Sequence, residues 1–222
     1  MFAKQIIHLL QHEIKLEFKQ KHFLSSIILY IVSTIFVCSL SFTEISEPVI
    51  WNALFWVIML FSLTNAISKS FLNENSDKQL FLYTLLNPRA LILGKIIYNL
   101  ILSVVLVLIS FVIFSILIKT KGLEDLNYGL FTVAIVLGST SISSTLTMIS
   151  AIASKTNNNI GILSILAFPI LMPSLLLSIQ FSNLAINGGD FNMGFEYIVF
   201  LGLINLLIIA LSFLLFPYLW RE

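Results

Sequence analysis

An all-α integral membrane protein with six spans is the fold class this sequence predicts, and three observations predict it. The 222 residues are 58% hydrophobic and only 10% charged, with a mean hydropathy of +1.00, whereas soluble chains carry about 25% charged residues. The 12 basic and 11 acidic residues are confined to islands at 1–22, 44–47, 69–95, 119–125, Lys155, 190–196 and the last two positions. Between the islands lie six uncharged stretches, each long enough for the ~20 residues a spanning helix needs. These are Phe23–Phe42, Val49–Ser68, Ile96–Ile118, Leu126–Ser154, Ile160–Phe181 and Tyr197–Trp220. Too little chain remains for a soluble domain, so residues 1–222 read as one membrane domain.

Residues 1–22 repeat apolar side chains at Ala3, Ile7, Leu10, Ile14 and Phe18, opposite Lys4, His8, Gln11, His12, Lys15 and Lys19. That spacing predicts an amphipathic helix lying on the membrane surface. His8 and His12 are one turn apart, but no Cys, Asp or third His is placed to close a metal site with them, so they read as interfacial polar residues. The charged lead and the 20-residue run after it lack the small-residue cleavage site of a secretory signal. Cys38, the single cysteine, reads as a small buried hydrophobe in the first span.

Orientation follows from the basic residues of the short loops. With the N-terminus inside, the inner segments carry Lys4, Lys15, Lys19, Lys21, Lys69, Lys78, Arg89, Lys95, Lys155 and Arg221, against Lys119 and Lys121 outside. This bias predicts cytoplasmic N- and C-termini. Trp51, Tyr128 and Tyr197 at the outer boundary, with Tyr98, Tyr218 and Trp220 at the inner one, suit aromatic belts.

The stretch 73–95, NENSDKQLFLYTLLNPRALILGK, is the part that cannot lie inside a bilayer. Asn75 or Ser76 suits a helix cap, and Asp77 places a negative charge at the positive helix end. The helix is expected to stop at Leu86, because Pro88 lacks an amide proton and disfavours helical geometry at Asn87. Leu80, Leu82, Leu85 and Leu86 form an apolar side facing Lys78, Gln79 and Tyr83, a pattern suited to a cytoplasmic helix between headgroups and a soluble partner.

In the fourth span Ser139, Ser143, Thr147 and Ala151 recur every four residues. Such a ridge lets a neighbouring helix approach closely, and it is equally a polar lining for a transported group. The fifth span carries Pro169 and Pro173 one turn apart. Each removes a backbone hydrogen bond, so this helix is expected to bend, as a fixed kink or as a hinge. Residues Ser182 to Glu196, with Gly188-Gly189, read as the longest outer connection, part of which could dip back into the membrane.

The absent chemistry excludes several classes. None of the six stretches holds a charge, which disfavours ion-coupled carriers and pumps. Gly94-Lys95 lacks the upstream glycine and the following Ser or Thr of a phosphate-binding loop, so any ATPase must be a separate polypeptide. No nucleophile-base or paired-carboxylate set can be assembled, and the chain is not expected to be an enzyme.

An amphipathic lead, two spans, a cytoplasmic helix ending Leu85-Leu86-Asn87-Pro88, and Leu91-Ile92-Leu93-Gly94-Lys95 opening the third span resemble the type 2 permeases of ABC transporters. With the fifth span Leu163-Ser164-Ile165-Leu166-Ala167-Phe168-Pro169-Ile170-Leu171-Met172-Pro173, the chain is most similar to the B component of the cytochrome c maturation system, heme exporter protein B. It departs from that family where Asp77 is followed by Lys78 instead of an acidic run and glycine. The resemblance implies a homodimer pairing with an ABC ATPase subunit, beside a heme-handling membrane protein, a small membrane-anchored subunit and a heme chaperone, in the bacterial inner membrane. It makes 73–95 the coupling segment, with Asp77, Lys78, Gln79, Tyr83 and Leu86 as ATPase contacts. ATP would then sit on the partner subunit and heme on partner proteins. No cofactor is expected on this chain, since it has no outer histidine and Trp51 and Trp56 do not make a tryptophan-rich heme signature. The alternatives are a type 2 permease exporting a lipid-linked saccharide or drug past the Ser139 ridge, and a non-transporting assembly scaffold.

Overall fold

The computed structural model describes residues 2–19, 21–42, 45, 47–72, 87–120, 123–154 and 160–219. Among these there are seven helices and no strand: α1 (Phe2–Lys19), α2 (Lys21–Ser41), α3 (Pro48–Leu72), α4 (Pro88–Leu117), α5 (Tyr128–Ala153), α6 (Ile160–Ile186) and α7 (Phe191–Leu219). The last six are each long and apolar enough to span a membrane. The protein is therefore an all-α, multi-pass membrane protein.

Several helices run further than the uncharged stretches. The third span was expected to open at Ile96, yet α4 begins at Pro88. The Asn87 side chain accepts a hydrogen bond from the Arg89 amide (3.1 Å), and Pro88 at the first helical position has no amide left to satisfy. Arg89 and Lys95 consequently ride on the first turns of a spanning helix. Tyr128 opens α5 in the same way, with Asn127 as the cap accepting from the Leu130 amide (3.2 Å).

The long outer connection expected over Ser182 to Glu196 is instead a tight turn. Helix α6 continues to Ile186 and α7 starts at Phe191. Gly188 takes a positive φ of 73°, and the Gly189 amide reaches back to Leu184 O (2.9 Å). That is a left-handed helix stop, which glycine adopts without steric cost.

Helix α5 is the centre of the bundle, in contact with α3, α4, α6 and α7. Of its span 67% is buried, against 17% for α2 and α7 at the periphery. The reason lies in its side chains: Ser139, Ser141, Ser143, Ser144, Thr145, Thr147 and Ser150 are all fully buried. Their small size lets backbones approach. In a bilayer, helices associate through such close packing and hydrogen bonding, since lipid is as apolar as Leu.

Candidate functional site

The expected partner contacts Asp77, Lys78, Gln79, Tyr83 and Leu86 lie outside the described residues. What is described is the frame that holds them. The segment leaves the end of α3 at Leu72 and rejoins at Asn87, the cap of α4. Anything acting on it therefore acts on two full-length helices at the end of the bundle where the termini lie.

At that end α1 docks on α4. Leu9 is buried, and its side chain sits 3.3 Å from where a Cβ at Gly94 would stand. The Lys95 side chain, 4% exposed, has its Nζ 3.9 Å from Glu13 Oε1. Leu9, Leu91, Ile92, Ile96, Ala151 and Phe216 close into a small apolar cluster. The docked side of α1 thus carries Leu9 and Glu13 together with Leu10 of the predicted stripe, which packs against the main core, while Ile7 and Ile14 of that stripe are exposed. His8 and His12 are exposed as well. Among the described residues, no three His, Cys, Asp or Glu gather as metal ligands would.

At the far end α3 is tied sideways to its neighbours. The Trp51 indole N–H donates to Ile118 O (2.9 Å) just past α4. The Trp56 indole donates to Ser182 Oγ of α6 (2.8 Å), and Asn52 Nδ2 donates to both Asn183 Oδ1 (2.8 Å) and Ile179 O (3.2 Å). Trp51, Phe55, Phe111, Phe114 and Phe131 pack ring against ring, joining α3, α4 and α5. Gly138 of α5 fits into this crossing. A methyl there would overlap the Trp56 ring and stand 2.8 Å from Ser178 Cβ.

Two belt assignments are corrected here. Trp51 and Tyr98 are core residues, because Trp51 spends its N–H on the end of α4 and both are buried. Tyr197 is half-buried, stacked on Phe181 at 5.6 Å. Only Tyr128 and Tyr218 of the described belt residues are largely exposed. Cys38 is half-buried at the edge of the main core.

Pro169 and Pro173 both lie inside α6 and divide it into unlike halves. On the termini side, Ile165 and Phe168 are exposed. Beyond the prolines, Ser174, Ser178 and Ser182 are fully buried at four-residue spacing, and it is this half that Trp56 and Asn52 hold. The sequence reading missed that second small-residue ridge, although its spacing matches the one noticed in α5.

Ser139, Ser143 and Thr147 are fully buried. Ser139 Oγ donates to Val136 O (3.0 Å), and Thr147 Oγ1 donates to Ser143 O (2.7 Å) while accepting from Asn99 Nδ2 of α4 (2.9 Å). Asn205 of α7 similarly donates to Thr140 Oγ1 (3.3 Å). Asn52, Asn99 and Asn205 each stand within a span, and an Asn in an apolar helix is the signal that could have marked them as crosslinks.

No curated protein matches the sequence. The family model described as CcmB protein matches residues 4–218, from the surface helix through the sixth span. With six spans, a docked amphipathic lead and a match across nearly its whole length, the chain belongs to the CcmB family, heme exporter protein B, a membrane permease family of cytochrome c biogenesis.

Proposed function

We propose that this chain is the membrane-spanning subunit of an ABC transporter complex in which a separate ATPase binds residues 73–86 and its ATP-driven movement is passed through α3 and α4 to α6. One observation carries the reading. The two helices that flank the segment are unbroken, tied to each other at the far end by Trp51, and α3 is bonded there to the half of α6 beyond Pro169 and Pro173. A push at the segment would therefore be delivered as a rigid shift of two spans, with the flexible point at the prolines.

Membership of the family supports a role in heme handling during cytochrome c biogenesis, and on our reading the movement serves release of a heme-loaded periplasmic chaperone. Heme is substrate here and is held by partner proteins: a heme-handling membrane protein, a small membrane-anchored subunit and the chaperone. The two tryptophans best suited by type to stack on a porphyrin are fully buried, and their N–H groups are spent inside the bundle. The excess of Lys and Arg on the termini side supports cytoplasmic termini in a bacterial inner membrane, which is where an ATPase would need to dock. Two copies of the chain would pair with two ATPase subunits.

The hydroxyl ridge of α5 gives no support to a path for a saccharide or drug, since it faces neighbouring helices and several of its hydroxyls are bonded to its own backbone. The test is co-purification. Asp77→Lys or Lys78→Glu should lower recovery of the ATPase several-fold while the chain still inserts in the membrane. Recovery equal to wild type would contradict the proposal.

A further inference from the structure

Helix α6 buries one side and leaves the other to the membrane. Ser174, Ser178 and Ser182 face the bundle and are fully buried. On the opposite side Leu166, Pro169, Pro173, Leu176 and Gln180 are all exposed and recur at alternating spacings of three and four. That alternation is the repeat of a seam between parallel helices, here with a single polar position in an apolar row.

Gln180 is the position that needs a partner. Gln5, Gln11, Gln20 and Gln79 all belong to the charged islands, whereas Gln180 stands inside an uncharged stretch. The span runs to Ile186, so at 1.5 Å per residue Gln180 lies about 9 Å inside its outer end. Side chains on a helix lean toward its N-terminus, which for α6 is away from the nearer membrane surface. The amide is therefore aimed into the bilayer instead of out to water. It is exposed on this chain, and no described residue bonds to it. Lipid tails offer neither donor nor acceptor, so an amide left among them goes without the hydrogen bonds that water would give it.

A second copy of the chain supplies both groups at the same depth. The Lys and Arg bias orients every copy alike, so a two-fold axis along the membrane normal sets α6 beside its own copy in parallel. Gln180 then meets Gln180 of the partner subunit, and two carboxamides satisfy each other, each having a donor and an acceptor. An unlike membrane chain would need its own polar group at this height; a second copy needs nothing further. We propose that two copies pair through this face of α6, with Nε2 of each Gln180 donating to Oε1 of the other. This rests on the reading that the chain works in pairs, and it adds which face makes the pair. Pro169 and Pro173 lie on the same seam, so the bend of each copy would stand against that of the other.

The test uses the full-length chain in a Cys38→Ser background, produced without the ATPase so that its outcome is separate from that of the co-purification above. Leu176→Cys, one turn from Gln180, should crosslink on oxidation in the membrane to a species of twice the chain mass. Leu206→Cys on α7 should not, although Leu206 is 67% exposed against 55% for Leu176. In sedimentation equilibrium in nonionic detergent, Gln180→Leu should raise the dimer dissociation constant about tenfold, the weight of two hydrogen bonds between spanning helices. A chain that stays monomeric would leave the face to lipid and overturn the proposal. So would equal crosslinking at Leu206, or a dissociation constant unchanged in Gln180→Leu. Should Gln180→Leu not fold, the contrast between Leu176→Cys and Leu206→Cys decides, and no crosslink at Leu176 counts against the pairing.

Discussion

The indole nitrogen of Trp56 donates a hydrogen bond to Ser182 Oγ across 2.8 Å, joining α3 to the half of α6 that lies beyond two prolines. One helical turn nearer the far end, Asn52 makes two more bonds to the same half of α6. These bonds make α3 and part of α6 one body, and they set what a force on the adjoining segment 73–86 can move.

Removing the Trp56 donor should separate coupling from folding. Trp56→Phe and Ser182→Ala are each expected to cost about 1 kcal/mol, the usual scale of a hydrogen bond between spanning helices, and the double mutant should cost less than their sum. Reversible unfolding in mixed micelles gives these values. Cytochrome c yield in cells should fall more in Trp56→Phe than its stability loss accounts for.

The tight crossing at Gly138 predicts a contrast between two glycines. Gly138→Ala has to displace the Trp56 ring and Ser178, and should destabilise by about 1–3 kcal/mol through overpacking. Gly202→Ala meets nothing within 4 Å and should be neutral to within about 0.5 kcal/mol. Thermal unfolding of the two variants side by side checks this.

The Glu13–Lys95 contact makes docking of α1 depend on charge. Glu13 is 23% exposed, so the pair lies between surface and fully buried cases, and Glu13→Ala should cost about 1–2 kcal/mol. Lys95→Met should lessen the cost of Glu13→Ala, since the buried ammonium is gone. A double-mutant cycle measures the coupling, and limited proteolysis of the first 20 residues should quicken in Glu13→Ala alone.

The prolines of α6 are expected to be functional more than structural. Pro169→Ala with Pro173→Ala restores two backbone donors, so thermal stability should hold or rise. If the two prolines are the hinge of the stroke, cytochrome c yield should fall several-fold in the same strain; full yield would contradict a hinge at these positions.

Six spans were legible because lipid tolerates little stray charge, so the islands marked where the chain leaves the bilayer. The helix ends were less legible, since nothing in hydropathy announces that Asn87 and Pro88 start α4 eight residues before the charge-free stretch. The turn at Gly188 was hidden by the same averaging. Helix α1 was recognised by its stripe at Ile7 and Ile14, but Glu13 reads as polar wherever it stands. The approach of buried Lys95, together with Leu9 packed against Gly94, explains why that side of α1 is the one that docks. Trp51 fell at the right depth for a belt, and depth alone does not separate an indole facing lipid from one bonded to Ile118.

The most direct test of the coupling account follows two distances in the chain purified together with the proposed ATPase, in a Cys38→Ser background. Spin labels are placed at Val57 of α3 and at either Leu176 or Ile165 of α6, all exposed positions. Between ATP-bound and nucleotide-free states, the Val57–Leu176 distance should stay constant while the Val57–Ile165 distance changes. A shift at Leu176, or no change at either site, would contradict it.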